Sequence, residues 1–144
     1  MRGEGREILV DTGFSAAMAA KRGREHLRCP AAALGLLGAD AAKIAEVVVT
    51  HLHYDHVGNF ELFPGAVFHL QEREMRYATG RYMCEDCFRG AFEAEDVVGM
   101  VRRVYEGRVR FHDGDAEIAP GVSLHLIGGH TMGLQVVRVA TRRG

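Results

Sequence analysis

The sequence predicts one α/β domain in which sheets are flanked by helices, and three observations carry that prediction. First, Glu46-Val47-Val48-Val49-Thr50 is apolar at every central position. A strand of that make-up is buried on both faces, as strands inside layered α/β folds are. Second, strands, then helices, then strands again succeed one another along the chain, the order of a sandwich of sheets with helices outside it. Third, 144 residues, 47% hydrophobic and 26% charged, are the size and make-up of one globular domain, able to bury roughly 68–70% of its unfolded surface. No repeat, low-complexity tract or linker interrupts residues 1–144, so they are read as a single unit.

Glu7-Ile8-Leu9-Val10 reads as a short strand ending in the turn-former Asp11-Thr12-Gly13. Residues 14–29 have weak periodicity and several charges, and read as loop with some helix. Pro30 opens a helix through Leu37, stopped by Gly38; Asp40 caps a short turn over 41–44. After the buried strand at 46–50, Ala66-Val67-Phe68-His69-Leu70 is a further strand and Gln71 to Ala78 a polar helical stretch. The clearest helix is 93–106, where Val97, Val98, Val101, Val104 and Tyr105 are read as one apolar stripe. Glu95 and Asp96 stand in its first turn, Arg102 and Arg103 in its last, and Gly107 follows, as the macrodipole and C-cap rules expect. Short strands follow around 108–112, 115–118, 122–127 and 134–140.

Charge and cysteine usage exclude several classes. Eighteen Lys and Arg against nineteen Asp and Glu give a net charge of −1, with no electrostatic footprint for nucleic acid or an anionic membrane. No apolar run approaches the ~18 residues of a membrane span, and the first seven residues lack the apolar core of a signal peptide. Three cysteines are an odd number and too few for a disulfide scaffold, which points to a reducing, cytoplasmic setting.

The chemistry concentrates in Thr50-His51-Leu52-His53-Tyr54-Asp55-His56. A buried strand delivers four good metal ligands within six residues. His51 and His53 are two apart, so in extended backbone they point to the same side and can grip one metal together. Asp55 and His56 are adjacent and diverge from them toward a second position. Imidazoles with one carboxylate suit zinc and related divalent ions. The alternative, a His-rich surface loop without a ligand role, has to explain three His and one Asp at the mouth of a buried strand.

This His-x-His-x-Asp-His motif resembles that of the metallo-β-lactamase-fold hydrolases. Val10-Asp11-Thr12-Gly13 is similar to the strand-end Asp-Thr-Gly of that family, whose Asp supports the metal loop through hydrogen bonds. Gly129-His130-Thr131 is similar to its Gly-His-Thr turn, whose His completes the first metal site. Within the superfamily, His56-Val57-Gly58-Asn59, Phe68-His69-Leu70-Gln71 and Gly129-His130-Thr131-Met132-Gly133-Leu134-Gln135 resemble the N-acyl homoserine lactonase group, with Met132 where many relatives have Pro. The resemblance implies an αββα sandwich. It also implies a metal-dependent hydrolase that opens a lactone ring by attack of a metal-bound hydroxide. Two zinc ions serve the complete site: His51, His53 and His130 on one, Asp55 and His56 on the other, with Asp55 also the catalytic carboxylate that orients the hydroxide or carries its proton. The expected partner is a small lactone or ester.

The family has two further ligands after Gly-His-Thr, a bridging Asp and a last His, whereas no Asp or His follows His130 here. The expectation is therefore a single, truncated domain with an incomplete sandwich, holding one ion or none stably. Two alternatives stand beside lactone opening. One is another ester or thioester hydrolase on this scaffold, of the hydroxyacylglutathione hydrolase kind; the other is a non-catalytic metal-binding piece.

Other candidates weigh less. Cys84-Glu85-Asp86-Cys87 lacks the second pair that a structural zinc site needs, and Cys29 reads as a small buried hydrophobe. His69 and His125 read as core or sheet-edge residues, His26 and His112 as exposed. The pairs Glu72/Glu74 and Glu93/Glu95 read as solvated helix faces. Neither Ser15 nor Ser123 completes a nucleophile elbow, and Gly3-x-Gly5 lacks the strand and third glycine of a dinucleotide site.

Overall fold

In a computed structural model that describes residues 1–3 and 5–141, two sheets face each other and helices pack on the outer side of the larger one. The larger sheet has the order β1 (Arg2–Gly3), β2 (Arg6–Val10), β3 (Glu46–Val48), β4 (Val67–Gln71) and β5 (Val109–His112). β1 and β2 are antiparallel, and β2 through β5 are parallel neighbours. The smaller sheet is an antiparallel meander of β6 (Ala116–Ala119), β7 (Val122–Leu126) and β8 (Gln135–Val139). The parallel strands are joined by helical crossovers, as parallel pairing requires. These are α1 (Ala16–Lys21) and α2 (Pro30–Leu36) before β3, α3 (Tyr54–Val57) before β4, and α4 (Glu72–Ala78), α5 (Asp86–Arg89) and α6 (Ala94–Tyr105) before β5.

The period of two along the strands builds both halves of the core. In β2 and the chain of β3, Leu9, Val47 and Val49 join a cluster shared with the helices, to which α2, α3, α4 and α6 contribute Leu34, Val57, Tyr77, Val97 and Met100. Ile8, Val10 and Val48 point the other way and meet Ile118, Val122, Leu124 and Val137 of the second sheet. Val47, Val48 and Val49 are fully buried, so β3 is covered on both faces as its composition predicts. Each such side chain contributes roughly 1.5–3 kcal/mol through its burial. The far face of the smaller sheet carries no helix from these clusters, so among the described residues the layers are helix, sheet, sheet. No helix of the described residues is long and apolar enough to cross a membrane.

The helix expected within 14–29 is present, and several other expectations need correction. Within 14–29, a helix forms over Ala16–Lys21 because the Ser15 side chain accepts a hydrogen bond from the Met18 amide. In α6 the inward stripe is Val97 and Met100, both buried, with Val101 and Val104 half-buried; Val98 and Tyr105 are 40% and 90% exposed. One residue is a 100° step around a helix, so Val98 and Tyr105 fall on the flank and Met100 takes the centre. The end of α6 is as expected: Gly107 has φ +70°, its amide bonds to Val104 O, and that of Arg108 bonds to Arg103 O. Glu74 is not solvated but fully buried, and Glu93 is tied down by Lys21 and Arg22. His112 is half-buried because it stacks on His69, 5.3 Å between centroids, and His26 because it packs edge-on to Phe14. Cys29 is half-buried, at the N-cap of α2.

The second face of β4 is polar where that of β3 is Val48. His69 and Gln71 are both fully buried; Gln71 is satisfied within the sheet layer, whereas His69 Nε2 has no hydrogen-bond partner and faces Glu46 Oε1 at 3.6 Å. His69 Nδ1 lies 3.0 Å from His112 Nε2. Gln71 donates to Gln135 Oε1 and Gly114 O and accepts from the Gly114 amide. Gln135 in turn donates to Val49 O and His69 O. This network ties the carboxyl ends of β3 and β4 to the start of β8. Open α/β sheets bind ligands beyond the carboxyl ends of their parallel strands, and the His-rich loop begins there.

Candidate metal centre

The loop after β3 bends at Thr50 and again at His53, whose extended backbone (φ −70°, ψ 151°) caps α3. Leu52 turns into the core and is fully buried, which leaves His51 and His53 together on the other side, as a spacing of two requires. His130 arrives from the turn between β7 and β8, where Gly128 and Gly129 take φ +69° and +88°, a left-handed pair that side chains disfavour. The three rings are mutual neighbours: 4.5 Å between His51 and His53, 4.9 Å between His51 and His130, 4.7 Å between His53 and His130. One ligand nitrogen from each lies within 4.8 Å of the others. Such separations bring three donors around one point, and an ion held at ~2.0–2.1 Å from each would draw them slightly closer.

Asp55 and His56 stand beside this cluster rather than in it. Both lie within α3; Asp55 is exposed, and its carboxylate lies 3.7 Å from His56 Nε2. The His56 ring is 4.0 Å from that of His51. All five residues singled out in the sequence therefore meet in one region, three as a ligand set and two as a neighbouring pair.

The Asp-Thr-Gly turn explains how the rings are oriented. Asp11 takes a left-handed φ of +56°, which a short polar side chain tolerates. Its Oδ1 accepts from the Thr50 amide and its Oδ2 from the Thr50 hydroxyl, each at 2.8 Å, and His56 Nδ1 lies 2.8 Å from Oδ2. A carboxylate only accepts, so His56 Nδ1 carries the proton and, in the neutral ring, Nε2 presents its lone pair outward. The Thr50 hydroxyl, having spent its proton on Asp11, is left to accept from His51 Nδ1 at 3.1 Å. His51 Nε2 is then also a lone pair, and it is buried without a partner. Thr12 adds amide and hydroxyl bonds to His56 O, and Asn59 bonds back to Thr12.

Burial, reinforced by the neighbouring rings, lowers the pKa of His51 to about 3 and that of His53 to about 4. His56 is raised, chiefly by its hydrogen bond to Asp11. At neutral pH His51 and His53 are thus the neutral bases that a metal needs. A buried lone pair without a partner on His51, beside the neutral imidazole of His53, fits a borderline-soft divalent ion.

Sequence reasoning missed Glu74. Its Oε1 accepts from the Leu52 amide at 2.8 Å and its Oε2 from the Gly133 amide at 3.0 Å. The signal was present, since Glu74, Tyr77 and Ala78 are buried at i, i+3 and i+4 of α4. Ser123, set aside in the sequence, has its Oγ 2.8 Å from His125 Nε2, with Asp115 Oδ2 2.8 Å from His125 Nδ1, an arrangement the sequence did not reveal. β7 is the central strand of its sheet, paired on both sides at Ser123. Cys84 and Cys87 are exposed free thiols and, among the described residues, belong to no metal-ligand cluster.

Comparison with known proteins supports the fold. A curated relative, the N-acyl homoserine lactonase AttM of Azorhizobium caulinodans, is 48% identical over 42 residues, 29% of this chain and 16% of that protein. A solved N-acyl homoserine lactone hydrolase, with N-hexanoyl-L-homoserine bound at its catalytic metal centre, superposes with a TM-score of 0.78 at 22% identity, over 99% of this chain and 57% of that one. AidC, a dizinc quorum-quenching lactonase, superposes with a TM-score of 0.71 at 18% identity, over 98% of this chain and 51% of its own. The chain thus spans little more than half of these solved relatives. The model of the metallo-beta-lactamase superfamily matches residues 1–144, and the chain belongs to that superfamily.

Proposed function

We propose that this chain carries the first metal site of a hydrolase that opens a lactone ring of the N-acyl homoserine lactone type. The observation that carries the reading is the convergence of His51, His53 and His130 on one point. The lactonases among the relatives support the substrate class, and the dizinc relative supports zinc. An ion held there supplies a Lewis acid that polarises an ester carbonyl and acidifies water. The remaining work falls to the chain. Asp55, exposed at the edge of the cluster, orients the attacking water and takes its proton. His56, with Nε2 held outward by Asp11, faces a second position with Asp55; the pair would hold a second ion, which would supply positive charge for the departing alkoxide. Its three free thiols suit a cytoplasmic setting for the enzyme.

One observation favours a second reading. Among the described residues the second position has only Asp55 and His56, and two donors hold a divalent ion weakly. This chain then binds one ion and turns over little. The test follows ring opening of N-hexanoyl homoserine lactone by proton release, with zinc and after chelation. The expected result is slow, chelator-sensitive opening that is lost in His51→Ala and His130→Ala. Cleavage of a thioester but not the lactone moves the chain to the hydroxyacylglutathione hydrolase kind. Zinc binding without chelator-sensitive hydrolysis of either leaves a metal-binding unit.

A further inference from the structure

The ligands of the cluster come from two loops nearly eighty residues apart in sequence, and something has to fix their separation. We propose that Glu74 is the positioning residue that does so, a buried carboxylate clamping both ligand loops to α4; the proposal rests on the metal-site reading above. Its Oε1 takes the amide of Leu52, which sits between His51 and His53. Its Oε2 takes the amide of Gly133, three residues beyond His130. Both bonds are charge-assisted and buried, the strong kind. The approach on the Gly133 side is so close that a Cβ built there would fall inside the backbone of Glu74. The bare glycine and the carboxylate are two halves of one contact.

A glutamine has the same shape but one acceptor instead of two. In Glu74→Gln, one of the two amides faces an NH2 group and loses its partner. Loss of such supporting partners typically weakens metal binding by about 10- to 100-fold.

The experiment measures zinc affinity by competition with a chromophoric chelator. It also records the visible spectrum of the cobalt(II)-loaded chain, for the unaltered protein, Glu74→Gln and Glu74→Asp. Gly107→Ala, remote from the site, serves as a control that lowers stability alone. The expected result is a zinc Kd raised about 10- to 100-fold in Glu74→Gln, with an altered cobalt spectrum at saturation. Glu74→Asp, which keeps two acceptors, recovers part of the affinity, and Gly107→Ala leaves both readouts unchanged. If Glu74→Gln does not fold, Glu74→Asp carries the test. Its shorter reach must raise Kd and shift the spectrum, and wild-type values for both would overturn the proposal. Wild-type Kd and spectrum in a folded Glu74→Gln reduce Glu74 to a structural residue and overturn the proposal alone. Failure of the unaltered chain to bind zinc overturns the metal reading and the clamp together.

Discussion

At the scale of single residues, the site depends on which nitrogen of each ring holds a proton, and Asp11 decides this for two rings. It accepts directly from His56 Nδ1 and, through the Thr50 hydroxyl, obliges His51 Nδ1 to donate. Asn tolerates the same left-handed backbone but offers His56 either a carbonyl that the Thr50 amide needs or a donor. In Asp11→Asn the neutral His56 is therefore expected to move its proton to Nε2, closing that nitrogen to a metal. Imidazole 15N shifts read the tautomer directly, and an unchanged pattern would show that Asp11 does not set it. Asp11→Ala makes the same change and adds backbone strain of roughly 1–2 kcal/mol at φ +56°. Urea unfolding of Asp11→Ala against Asp11→Asn measures that difference.

At the scale of elements, hydrophobic period and turn chemistry carry most of what the sequence reveals. β3 is legible because three consecutive valines allow no exposed face, and the end of α6 because Gly107 supplies the left-handed step after its last turn. Gly107→Ala is accordingly expected to lose about 1 kcal/mol, seen as a fall of a few degrees in Tm without change in the core. The ligand loop was legible for a different reason: four donors in six residues have no simple account in packing. What stayed hidden is polar and buried. Residue type reports average burial, so Glu74 on α4 and Gln71 and Gln135 at the strand ends look like surface residues until the partners of their oxygens and amides are known. The Val98 and Tyr105 positions show the converse, apolar residues read as buried that one helical step carries to the flank. Patterning locates the layers; the clamp between two distant loops is a tertiary fact that no single segment encodes.

At the scale of the whole molecule, the imidazoles gathered near the strand ends make the metal-free fold sensitive to acid. His51 is lowered to about 3, and His53 and His69 to about 4, each first by burial, against about 6.5 in the unfolded chain. Between pH 6.5 and 4 the unfolded chain therefore holds a proton on each that the folded chain refuses. Stability falls as pH falls through this window, by about 1.4 kcal/mol per pH unit for each net proton. His112, lowered by burial and by Arg110, adds in the same direction. Asp96 opposes them, because burial and the charges of Glu93 and Glu61 raise it to about 6, so the folded chain gains a proton there that the unfolded chain takes up only near its ordinary value. Glu74, raised by burial, opposes likewise. His56 is raised, so its contribution is complete below its unfolded value and changes little in this window. The balance favours the histidines. Urea unfolding of metal-free protein at pH 6.5, 5.5 and 4.5 is expected to show a steady loss. His69→Gln is expected to lower stability at every pH yet flatten that slope, since it removes one of the protons responsible and leaves the ligand loop untouched. A slope equal to that of the unaltered chain would mean that His69, although fully buried, accepts its proton as readily folded as unfolded.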